Sequence, residues 1–78
     1  MSTSIVGNPR TKAQLERNWR ILKFEHPTSA IDGNARTVVE MRRNFQIWKT
    51  ENATSGIDPT PRTMHEMQRN FRILRGEL

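Results

Sequence analysis

The sequence predicts an all-α chain of three tandem 26-residue repeats. Each repeat is an irregular linker and one amphipathic helix, and the three are expected either extended on a partner or as a small three-helix array. Three observations carry this expectation. The pattern R-T-x-x-[QE]-[LM]-x-R-N-[WF]-x-I-[LW] opens at Arg10, Arg36 and Arg62, with no insertion between copies. Each copy places a threonine three residues ahead of Gln or Glu, the spacing of a capping box. Each then carries apolar residues at helical spacing. A fixed period governs how the rest of a chain is read, because every unit must solve the same packing problem. The units run 2–27, 28–53 and 54–78 within a single domain.

The first linker, 1–9, is polar and uncharged, with Ile5 as its apolar anchor. Pro9 disfavours helix at Asn8. Thr11 and Gln14 then form the first capping box, and a helix is expected over about 12–25. Leu15, Trp19 and Leu22 fall at i, i+4 and i+7, as an amphipathic helix requires, and Pro27 ends it. The second linker, HPTSAIDGNA, is built from turn-forming residues but keeps Ile31 where the first has Ile5. Thr37 and Glu40 open a helix over about 38–50 carrying Met41, Phe45 and Trp48, extended backwards by Val38, with Asn52 as its stop. The third linker, NATSGIDPTP, keeps Ile57. Thr63 and Glu66 open a helix over about 64–75 with Met64, Met67, Phe71 and Leu74, closed by Gly76. A pure spacer has no reason to hold an isoleucine at one fixed place, so Ile5, Ile31 and Ile57 are read as linker anchors.

The chain has 78 residues and no cysteine, so disulfides and thiolate metal sites are excluded. Chains this short bury little apolar surface. A partner surface is therefore expected to complete the fold, with Leu15, Trp19, Leu22, Met41, Phe45, Trp48, Met67, Phe71 and Leu74 as an apolar docking face. Net charge is +5. The bases concentrate in the helical segments, a balance suited to nucleic acid or an acidic protein surface. No apolar run is long enough for a membrane span. The start of the sequence lacks the basic and apolar regions of a signal peptide, so a cytoplasmic or virion location is expected.

Comparing the three copies picks out a second face. Identical in all three are the linker isoleucine, the Arg-Thr opener, Arg17/Arg43/Arg69, Asn18/Asn44/Asn70, Ile21/Ile47/Ile73 and Glu25/Glu51/Glu77. At about 100° per residue, the helical members share one side, beside the apolar stripe. Other positions have diverged fully, as Lys12/Val38/Met64 show. The identical polar side therefore signals a constraint, either contacts between units or a shared partner site. The partner-binding set expected is Arg10, Arg17, Asn18, Ile21, Glu25, Arg36, Arg43, Asn44, Ile47, Glu51, Arg62, Arg69, Asn70, Ile73 and Glu77.

Catalytic chemistry is not expected. His26 and His65 occupy non-equivalent positions and neither sits in an acidic cluster. There is no phosphate loop, no Ser/His/Asp set and no thiol nucleophile. No metal, cofactor or small-molecule substrate is implied. The expectation is a non-enzymatic structural protein whose three equivalent helices dock on repeated sites of a larger symmetric assembly. A minor capsid, cement or tail-associated component of a viral or phage particle is one such setting. Two alternatives are a basic helical module binding nucleic acid, and a self-contained, oligomerising three-helix bundle.

Overall fold

A computed structural model describes residues 4–77. It contains three helices, α1 (Lys12–Glu25), α2 (Val38–Glu51) and α3 (Met64–Leu74), and no strand among the described residues. The chain is all-α. Each helix starts where its threonine directs: the Thr11, Thr37 and Thr63 side chains accept from the N3 amides of Gln14, Glu40 and Glu66. The N3 side chains return to the cap amides, so all three capping boxes are complete. The ends differ. α1 stops at His26 and α2 at Asn52. α3 closes in a Schellman motif, with Gly76 at φ 86° and Glu77 N–H donating to the Arg72 carbonyl at 2.9 Å. Only glycine adopts that left-handed backbone without a steric cost.

The three helices run in the same direction, because like ends lie together. Near the C-terminal ends, Ser29 and Ala30, just past α1, bond Glu51 at the end of α2. The His26 ring packs edge-on to Trp48 at 4.9 Å. At the N-terminal ends, Arg42 of α2 donates to the Pro61 carbonyl just before α3, and Gln68 of α3 donates to the Pro9 carbonyl just before α1. Each linker therefore returns the chain along the bundle before the next helix begins. The result measures 26 × 25 × 22 Å, which rules out the extended arrangement for the chain itself.

The core forms where the apolar stripes meet. Trp19, Phe45 and Phe71 make a central trio, with ring centroids 4.7, 5.4 and 5.3 Å apart and mostly edge-to-face. Such tilted pairs suit the ring quadrupoles. Leu15, Met41 and Met67 lie in the layer toward the N-terminal ends, and Leu22, Trp48 and Leu74 toward the C-terminal ends, all buried. The Trp19 indole N–H is buried in this core without a hydrogen-bond partner. The nine residues expected as an apolar docking face are therefore placed inside the chain. Each stripe is covered by the other two, and no partner is needed to remove it from water. Ile5, Ile31 and Ile57 are buried in the same core, and Ile21, Ile47 and Ile73 pack partly against it.

Candidate interaction surface

Asn18, Asn44 and Asn70 belong to the expected partner-binding set, yet the structure buries all three. Each serves a linker rather than a partner. Asn44 Oδ1 accepts from the Asp32 N–H at 2.7 Å, and its Nδ2 donates to the Asp32 carbonyl at 2.9 Å. Asn18 does the same for Val6 at 2.8 and 2.9 Å, and Asn70 for Asp58 at 2.8 and 2.9 Å. An extended linker has no neighbouring strand to satisfy its backbone, and a primary amide supplies the missing acceptor and donor together. The asparagine pins the linker to its own helix, one residue beyond the buried isoleucine. This is a correction to the sequence reading: the constraint on these three positions is internal.

Glu51 is exposed, but its carboxylate is also engaged within the chain. Its carboxylate accepts from the Ser29 hydroxyl at 2.6 Å and the Ala30 N–H at 2.9 Å. The Ser29 hydrogen bond, followed by the Ala30 amide, holds its pKa below the ordinary glutamate value. Glu77, at the equivalent position, pairs instead with Arg75 at 3.1 Å, and Glu25 is exposed. The three glutamates thus sit at one end of the bundle in different local roles.

Most of the remaining carboxylates are likewise occupied by backbone. Glu40 accepts from the Arg36 and Thr37 amides at 2.8 and 3.0 Å, which lowers its pKa, the Arg36 amide contributing most. Glu66 accepts from the Arg62 and Thr63 amides at 2.7 and 3.1 Å. Asp32 and Asp58 close Asx turns onto the Asn34 and Thr60 amides. Ion pairs among the described residues are Lys12–Glu16 and Arg75–Glu77. Of 13 lysines and arginines, 11 therefore have no carboxylate within ion-pair distance there. Lys23, Lys49 and Arg42 donate to linker carbonyls.

Arg10, Arg36 and Arg62, and Arg17, Arg43 and Arg69, are exposed. Arg10, Arg36 and Arg62 immediately precede the N-cap threonines, and Arg17, Arg43 and Arg69 lie within the helices. The first three lie at the N-terminal ends of the parallel helices. Exposed Val38, Val39 and Met64 share that end, and Phe24, 86% exposed, lies toward the other. Among the described residues no three His, Asp or Glu side chains converge as metal ligands, and no helix is long and apolar enough to cross a membrane. No family model matches the chain, and no curated protein or solved structure is significantly similar to it.

The sequence reading missed how the units join. Arg42 Nε donates to the Pro61 carbonyl at 3.0 Å and Gln68 Nε2 to the Pro9 carbonyl at 2.7 Å. The equivalent residue on α1 is Glu16, which has no proton to give the Ala35 carbonyl when ionised and lies 3.8 Å from Lys12 instead. A second set of contacts follows the same order. An added Cβ on Gly33 would lie 2.9 Å from Lys23 Cβ, and one on Gly7 would lie 3.0 Å from Arg75 Cδ. Each helix thus touches the linker of the next unit, and α3 touches the linker of the first.

Proposed function

We propose that the chain is a tandem-repeat interaction protein without enzymatic activity, whose three helix-plus-linker units present equivalent arginines to an acidic protein assembly with repeated sites. One observation carries the reading. The asparagines and apolar stripes are consumed inside the bundle, while six arginines identical across the copies stand exposed on its outside. Arginine's planar fork of donors suits bidentate pairing with carboxylates. Three modest contacts on one body act together when the partner's sites are spaced to receive them. A viral particle is one setting that supplies such sites.

Nucleic acid is the second reading, favoured by the 11 bases that have no carboxylate within ion-pair distance among the described residues. Binding of that kind would run through phosphates. Trp19, Phe45, Phe71 and Trp48 are buried, which leaves exposed Phe24 as a ring on which an unpaired base could stack.

The test is titration of the protein with an oligoglutamate peptide and with a labelled DNA duplex, over a salt series. Replacing Arg10, Arg17, Arg36, Arg43, Arg62 and Arg69 together by alanine should weaken peptide binding at least tenfold with helicity unchanged. Wild-type affinity in that variant refutes the proposal. Tight duplex binding with a steep salt slope, and none to the peptide, establishes the second reading instead.

A further inference from the structure

We infer that the partner's three acidic sites are arranged around a threefold axis, and that this chain sits on the axis with its N-terminal helix ends forward. The inference rests on the acidic-protein reading above and adds the partner's symmetry and the docking end.

Three parallel helices could be displayed in a row or in a ring, and the contacts distinguish the two. In a row, α3 would have no reason to touch the linker of the first unit. Instead Gln68 donates to the Pro9 carbonyl at 2.7 Å, the counterpart of Arg42 with Pro61. Gly7 lies against Arg75 as Gly33 lies against Lys23. The near-equal spacing of Trp19, Phe45 and Phe71 closes the same triangle at the centre. Arginines at equivalent positions are then related by rotation of about a third of a turn. A partner that offers identical sites by translation, as along a straight filament, can meet only one of them at a time. A partner with a threefold axis can meet all three, since matched symmetry brings identical patches into register.

The end is chosen by charge and exposure. Arg10, Arg36 and Arg62 crown the N-terminal ends, together with exposed Val38, Val39 and Met64. The opposite end carries Glu25, Glu51 and Glu77 interleaved with Lys23, Lys49 and Arg75, so its charges offset one another. An acidic surface is drawn to the first end rather than the second, and the apolar residues supply area that water leaves on contact.

The probe is an oligoglutamate tail in three forms: a free peptide, on a two-stranded coiled coil, and on a three-stranded coiled coil, each titrated calorimetrically into the intact protein. The three-stranded form should bind at least 100-fold tighter than the free peptide, the gain that linked contacts commonly bring. Arg10→Ala, Arg36→Ala and Arg62→Ala should each reduce it by a similar factor, toward the two-stranded level. Val39→Asp should weaken binding and Phe24→Ser should not, with circular dichroism confirming that each variant stays folded. Equal affinity for the two- and three-stranded probes, or one arginine accounting for the whole loss, overturns the threefold inference while the acidic-partner reading stands. Weakening by Phe24→Ser but not by Val39→Asp overturns the choice of end. Binding to none of the three probes overturns both the inference and the reading beneath it.

Discussion

Gln68 reaches across 59 residues of sequence to donate its side-chain N–H to the Pro9 carbonyl at 2.7 Å. This bond closes the three units into a ring, and its counterpart joins Arg42 to Pro61. The third junction lacks one because Glu16 stands in the donor's place. Gln68→Ala should therefore destabilise the protein by about 1 kcal/mol, the usual net worth of such a bond. Glu16→Gln should do the reverse. It loses an exposed pair with Lys12, contributing tenths of a kcal/mol, and gains a donor for the Ala35 carbonyl, for a net stabilisation of about 0.5–1 kcal/mol. Chemical denaturation of both variants checks the two signs. A Glu16→Gln variant less stable than the parent would show that the three junctions are not equivalent.

The asparagine clamps should be the most sensitive polar positions in the chain. Asn44→Ala leaves the Asp32 N–H and carbonyl without their partner, at about 1–3 kcal/mol for each group left unsatisfied. Asn44→Asp keeps the acceptor but loses the donor and brings a charge into a buried site, so its cost should be larger still at neutral pH. The same order is expected at Asn18 and Asn70. Thermal melts of the six variants decide it, and a tolerated Asn44→Asp would contradict the clamp.

Acid should loosen the second linker through Glu51. Its folded-state pKa is lowered by the Ser29 hydroxyl and the Ala30 amide. A carboxylate with a depressed folded pKa adds stability that is present above its unfolded value, about 4.3, and is lost as pH falls through the folded one. Stability should thus drop as pH is lowered from about 5 through this range. Glu51→Gln should show a shallower drop than the parent. Denaturation midpoints across the series test this, and identical slopes would count against it.

Gly33 is required by proximity. A Cβ there would sit 2.9 Å from Lys23 Cβ, which α1 holds in place. Gly33→Ala must push the linker off the helix and should cost about 1–3 kcal/mol. Gly56, whose added Cβ meets nothing within 4 Å, is the control and should accept alanine with little effect. Similar losses at both sites would mean that backbone freedom, not contact, decides the outcome.

Helix positions were legible because their determinants are local. The three threonines and their Gln or Glu partners lie within four residues of one another, and α1, α2 and α3 start at the residues their capping boxes indicate. The C-terminal ends were less sharp: α2 runs to Glu51, one residue past the expected 50, and α3 ends at Leu74 rather than 75. The candidate surface was legible only in part. Arg10, Arg17 and their equivalents are exposed, but the asparagines on the same side of the wheel are buried. A helical wheel places residues around one helix and carries no information about a linker packed over it. A usable signal did exist. An uncharged side chain that both donates and accepts, kept at a fixed offset from a kept isoleucine, suits a backbone clamp better than a docking contact.

The sequence by itself determined three amphipathic helices, their starts and the linkers between them, because capping, periodicity and turn chemistry act over a few residues. It also determined which positions carry identical side chains in all three segments, among them the arginines, asparagines and isoleucines. Only the tertiary structure decided which of those side chains face inward. Burial depends on what lies opposite, and for Asn44 that is a linker residue 12 positions earlier, for Trp19 the rings of two other helices, and for Gln68 a carbonyl near the start of the chain. The direction of the helices and the closing of the ring belong to the same class, since both are set by contacts between residues far apart in the chain.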